Sequence, residues 1–178
     1  RVHLVQFSLT HSMDELLEET LNEIEKLTES KIGFFHFVKE DQETLVLQNW
    51  SGRTKSEFCN AIGKGSHYPI SEAGVWADCV RQRKPLIHND YASIPQHKVL
   101  PEGHAEIIRE LVLPIFRHDK IRAILGMGNK PVDYNQEDID VVELIAHLAY
   151  EIVERKQAED ALRDSEEKYR LLFEKMGQ

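Results

Sequence analysis

Apolar residues along this chain change their spacing several times, and each change predicts an element. Leu17, Leu21, Ile24 and Leu27 recur every three or four positions, with Glu18, Glu19, Glu23 and Glu25 largely off that stripe. That spacing predicts an amphipathic helix. Ser12 followed by Glu15 forms a capping box at its start. The preceding Leu4, Val5 and Phe7 predict a short helix or an irregular arm. Ile32 to Val38 is short, apolar and aromatic, the composition of a buried strand. A polar turn from Lys39 to Thr44 leads into Leu45 to Trp50 as the second arm of a hairpin. Ser51 to Gly65 reads as a loop with a helical turn at Ser56 to Ala61, and His67 to Ile70 as a short edge strand where Pro69 is tolerated.

Further on, Val75, Trp76, Cys79 and Val80 make the stripe of a second amphipathic helix over Glu72 to Arg83, stopped by Pro85. Leu86 to His88 is a short strand, and Asn89 to Gly103 is a connection long enough to act as a functional lid. Glu110 to Phe116 and Ile121 to Gly128 form the clearest hairpin, apolar on both faces as central strands are. Asn135 caps a last helix with Glu137 and Asp138 in its first turn. No Pro or Gly interrupts Gln136 to Lys175, so this helix predicts a rod of about 60 Å. Spacings of four and three link Leu148, Ile152, Arg155, Glu159, Leu162, Glu166, Tyr169 and Phe173. This is a heptad seam with some polar core positions, expected to pair with a copy of itself.

Charge and composition narrow the classes. A net charge of −9 argues against nucleic acid, which needs a basic face. No apolar run approaches the roughly 20 residues that span a bilayer, and Arg1 to Thr10 alternates in a way no signal peptide does. Cys59 and Cys79 are the two cysteines and form no CxxC, which suggests free thiols in a reducing cytoplasm. The first residue is not Met, so a fragment of a longer protein is expected, with any membrane segments in its other parts.

Three stretches carry a family likeness: "IGFFHFVKEDQETLVLQNWS", "HYPISEAGVWADCVRQRKPLIHNDYAS" and "RELVLPIFRHDKIRAILGMGNKPVDYNQEDIDVVELIA". Together with the element order they resemble a GAF domain of the kind that precedes PAS domains in bacterial and archaeal sensor histidine kinases. The tail "ERKQAEDALRDSEEKYRLLFEKM" is similar to the linker helix and opening of such a PAS domain. The resemblance implies an α+β fold: a central antiparallel sheet of about six strands, flanking helices, and a long C-terminal helix extending as a coiled-coil linker. It implies a sensor domain over residues 1–153 and a helical linker over 154–178. It further implies a homodimer through the N- and C-terminal helices, an unidentified small ligand, and PAS and kinase domains in the same polypeptide. Haem or a small metabolite fits the family. A bilin does not, because neither cysteine stands beside a histidine, and Asn129-Lys130 lacks the residues that continue a cyclic-nucleotide motif.

The chain has nine histidines, most of them in its middle. The residues expected to bind a ligand are Tyr68, Trp76, His88, Tyr91, His104 and Arg109, an aromatic and titratable mixture typical of small-molecule pockets. Cys79 and His67 are the candidate haem or metal ligands, although no pair has the spacing of a closed zinc site. Each has a plainer reading: Trp76 as the core anchor of its helix, the histidines as loop hydrogen-bonders, Arg109 as a partner of Glu106 or Glu110. Gly63-Lys64-Gly65 and Gly126-Met127-Gly128 lack the context of phosphate or dinucleotide loops. His147 lacks the acidic neighbour and downstream Pro of a phosphoacceptor motif, and no ATP-binding segment is present, so the chain alone is not expected to be an enzyme. The rivals are a GAF-fold thiol reductase of methionine sulfoxide and a ligand-free dimerisation spacer.

Overall fold

The computed structural model describes residues 2–58, 67–95 and 106–176. Helix α1 spans Val2–Ser8 and α2 spans Met13–Thr28, entered through the capping box of Ser12 and Glu15. Strands β1 (Ile32–Val38) and β2 (Thr44–Trp50) form the first hairpin, and β3 (His67–Pro69) lies beside β2. After the short helix α3 (Asp78–Gln82) come β4 (Leu86–His88), β5 (Glu110–Arg117) and β6 (Lys120–Gly128). Helix α4 runs from Gln136 to Met176, 41 residues. The sheet has six strands, ordered β3-β2-β1-β6-β5-β4, and all its pairings are antiparallel.

Alternation along the strands gives the sheet two different faces. On one, Phe35, Leu111, Leu113, Ile115, Ala123, Leu125 and Met127 pack under α2 and the first half of α4. Leu16, Leu17, Leu21 and Ile24 of α2 are fully buried there, each contributing about 2 kcal/mol. Helix α2 therefore spends its stripe on its own core, and of that stripe only Leu27 stays exposed, at 59%. On the other face Val38, Leu45, Val112, Ile121 and Ile124 pack beneath Ile70, Ala73, Ala77 and Cys79.

The start of α4 has a second reciprocal cap. Asn135 Oδ1 accepts from the Glu137 and Asp138 amides at 2.8 and 3.3 Å, while Asp138 Oδ2 accepts from the Asn135 amide at 3.0 Å. Lys130 Nζ lies 2.7 Å from Asp138 Oδ1 and anchors the turn before the helix. Val142, Ala146, Ala149, Tyr150 and Val153 are buried, and Val153 is the last buried position of the helix.

Two expectations change. The helix expected over Glu72 to Arg83 is broken into 3₁₀ turns at Ile70–Glu72 and Val75–Ala77, followed by the five-residue α3. Gly74, extended at φ −71° and ψ −169°, interrupts the coil, and Arg83 in the left-handed region ends it. The helical turn expected at Ser56 to Ala61 begins earlier, as a wide turn at Thr54–Phe58; residues 59–61 lie outside the described residues.

Candidate functional site

The face of the sheet away from α2 and α4 gathers buried aromatic and titratable side chains. Phe34 and His36 project from β1 onto it, two residues apart, and Trp76 reaches down from its 3₁₀ turn. The Trp76 ring lies 5.5 Å from Phe34, edge to face, and 4.7 Å from His36. Phe34 lies over Gly126 of β6, where a Cβ would come within 2.1 Å of its ring. Glycine at 126 is thus what lets the aromatic cluster settle onto the sheet. His36 is buried, and burial depresses its imidazole to about 3, so it is neutral.

A second group sits toward the β4 edge. His88 and Glu110 are cross-strand partners, and His88 Nδ1 lies 2.8 Å from Glu110 Oε1. Burial pushes the Glu110 carboxyl up despite that contact, while the hydrogen bond to Glu110 pushes His88 up. The pair therefore keeps its shared proton to higher pH than either group alone. Burial, and then the Glu110 charge, push Tyr91 and Cys79 each to about 12. The Cys79 thiol is fully buried and donates to the Trp76 carbonyl at 3.5 Å, so it is protonated and unreactive in this state.

Of the residues expected from sequence, Trp76, Cys79, His88 and Tyr91 are brought to this face. Arg109 is not: its NH1 donates to the Lys130 carbonyl at 2.7 Å and its NH2 lies 3.4 Å from Asp133. It stands one position before Glu110, so alternation turns it away from the site, and it braces the turn into α4 instead of pairing with Glu106 or Glu110. His67 and Tyr68 belong to β3, opposite Val46 and Leu45; their side chains are outside the description. Cys79 packs over β5 and β6, whereas β3 lies three strands from β6, about 14 Å at ordinary strand spacing. His67 and Cys79 are thus not neighbours in the backbone. His104 lies outside the described residues. Among the described residues, the group that brings three metal-type donors within 4.8 Å is His3, Glu19 and Glu23 on the helical side, none of them a predicted ligand.

Phe34, His36 and Glu110 complete this face and are not among the residues expected from sequence. The signal was present: His36 alternates with aromatic residues in β1, and Glu110 is a lone acid opening an apolar strand.

The sequence model described as "GAF domain" matches residues 10–154. The chain belongs to the GAF domain family. A relative from Methanosarcina acetivorans, the "Methyl sulfide methyltransferase-associated sensor", is 37% identical over 153 residues, covering 85% of this chain and 15% of that protein. This GAF chain therefore spans a small part of that relative. Among solved structures it is similar to the GAF domain of a phosphoenolpyruvate-protein phosphotransferase from Coxiella burnetii, at TM-score 0.70 and 19% identity, over 89% of this chain and 93% of that one. It is similar also to the free methionine-R-sulfoxide reductase of Neisseria meningitidis, at TM-score 0.61 and 14% identity, over 86% and 87%. At those identities the likeness speaks for the shared GAF fold.

Proposed function

We propose that this GAF domain is the sensory input module of a multi-domain histidine kinase. Residues 154–178 lead into a following PAS domain, and the small ligand binds on the sheet face that holds His36, Trp76, His88 and Glu110. The observation that carries the reading is the division of labour across one sheet. Buried aromatic and titratable groups occupy one face, while the other is occupied by a helix that continues well past the domain. The "sensor" in the relative's name supports it. A ligand shifts such a helix only if it binds two arrangements with different affinity.

The outgoing helix supports pairing with a second copy. Leu162, Tyr169, Phe173 and Met176 are all more than 60% exposed and fall at spacings of seven, four and three. A lone polar helix of this kind is marginal in water, and a partner stabilises it. No described helix is long and apolar enough to cross a membrane, and a cytoplasmic location fits the free thiol of Cys79.

The test is native mass spectrometry with an absorbance spectrum, on protein purified from its own host. The reading expects a small molecule, haem or another metabolite, retained at unit stoichiometry and released on unfolding. Protein that carries none, and binds none from a host-cell metabolite extract, would favour the ligand-free spacer. The reductase reading requires a nucleophilic thiolate, and the protonated, buried Cys79 does not favour it. Cys59 lies outside the described residues. Free methionine sulfoxide with dithiothreitol as reductant should be left unreduced; turnover abolished by Cys79→Ser or by Cys59→Ser would overturn that expectation.

A further inference from the structure

The tip of the β5–β6 hairpin is held by two arginines from opposite sides of the sheet. From the site face comes Arg83, the residue that ends α3. Its NH2 donates to the Asp119 carbonyl, and its guanidinium lies 5.1 Å from the centre of the Phe116 ring. Arg117, next in the chain to Phe116, points to the helical face. Its Nε donates to Glu154 Oε2 at 2.8 Å, its NH2 to the His147 carbonyl at 3.2 Å, and its guanidinium lies 5.1 Å from the Tyr150 ring. Its NH1 donates to the Phe116 carbonyl at 2.9 Å and faces His147 Nδ1 at 3.2 Å.

We propose that this hairpin tip couples the two faces: Arg83 ties it to α3, Arg117 ties it to α4 where α4 leaves the domain, and displacement of α3 thereby reaches the outgoing helix. The proposal rests on the reading that the first face senses and α4 transmits.

Three features support the coupling. Adjacent strand residues point to opposite faces, so Phe116 and Arg117 join the two arginine contacts through a single peptide bond. The turn is short, and His118 and Asp119 both hold left-handed backbone, at φ 49° and 62°. Such turns match strand twist and leave the loop little freedom, so the tip moves as a unit. Arg117 also grips α4 at His147, Tyr150 and Glu154, immediately before the helix loses contact with the core. Gln42 supplies the pivot, accepting from the Ile121 amide at 2.8 Å and donating to the Ile121 carbonyl at 2.9 Å.

Amide hydrogen exchange on the full chain, without ligand, tests this. Arg83→Ala should speed exchange in residues 147–154 by about fivefold, a part of the roughly tenfold or more that losing one charge-assisted contact costs where the contact is made. Amides of β1 and β6 should keep their protection. Arg117→Ala should speed the same segment, and the double variant should be no faster than Arg117→Ala alone, because the effect of Arg83 passes through Arg117. Should Arg117→Ala fail to fold, Glu154→Ala removes a single one of its contacts and should show the same non-additivity with Arg83→Ala. Changes from Arg83→Ala confined to residues 79–83 and 117–120 would overturn the proposal. So would equal acceleration throughout β1 and β6, or simple additivity of the two variants. No ligand takes part, so failure here is distinct from failure of the sensory reading.

Discussion

Single residues decide how this site is built and how it responds to protons. Gly126 matters through the space it leaves: a Cβ there would meet Phe34 at 2.1 Å. Gly126→Ala should cost about 1–3 kcal/mol by overpacking and should change Trp76 fluorescence as the Phe34 ring is displaced. A wild-type melting curve with unaltered fluorescence would contradict this packing. The histidines act in opposite directions. His36 is held neutral with its imidazole depressed to about 3, against an ordinary 6.5. The unfolded chain therefore binds a proton that the fold refuses, and stability falls as pH drops below about 6.5, by on the order of 1 kcal/mol per pH unit. His88 and Glu110 are both raised, so the folded state holds more protons than the unfolded one above their ordinary values. Their contribution is present at low pH and is lost as pH rises through the raised folded values. Thermal melts across pH should show both limbs; His36→Phe should flatten the acid limb and Glu110→Gln the alkaline one. If both variants kept the wild-type profile, the protonation states assigned here would be wrong.

Among the elements, legibility followed the strength of the local signal. The capping box at Ser12, the β5–β6 hairpin and the uninterrupted α4 were all readable because each rests on neighbours in sequence. The segment from Ile70 to Arg83 was not. Its apolar spacing suits a helix, but Gly74 breaks it, and burial of Ala73, Val75, Ala77 and Cys79 against the sheet decides its shape. The site residues divide in the same way. Trp76, His88 and Tyr91 advertise themselves by type, whereas Glu110 becomes important only through its pairing with His88 across β4 and β5. Arg109 misled because its role depends on which face the strand presents. Helix α4 itself carries a prediction: Leu162→Glu should weaken self-association of the full chain in light scattering while leaving the melting temperature of the sheet domain unchanged. An unaltered oligomeric state would place the partner surface elsewhere.

At the scale of the whole molecule, one six-stranded sheet separates the buried aromatic and titratable groups from the helix that leaves the domain. The helical face is closed by α2 and α4, while the opposite face lies under short, irregular elements, where functional groups tend to gather; the proposed function puts the ligand there. Phosphate should not be accepted at His147, which is engaged by Arg117; label transfer from ATP that disappears in His147→Ala would contradict this. The proposed function turns on which face of the sheet binds a small molecule. It is tested most directly by hydrogen-exchange mapping of protein from its own host, before and after the co-purifying small molecule is stripped. Removing the molecule should expose amides of residues 34–38, 76–91 and 110–116, with a smaller change in 147–154. Changes confined to α2 and residues 136–146 would show that the ligand binds the helical face instead.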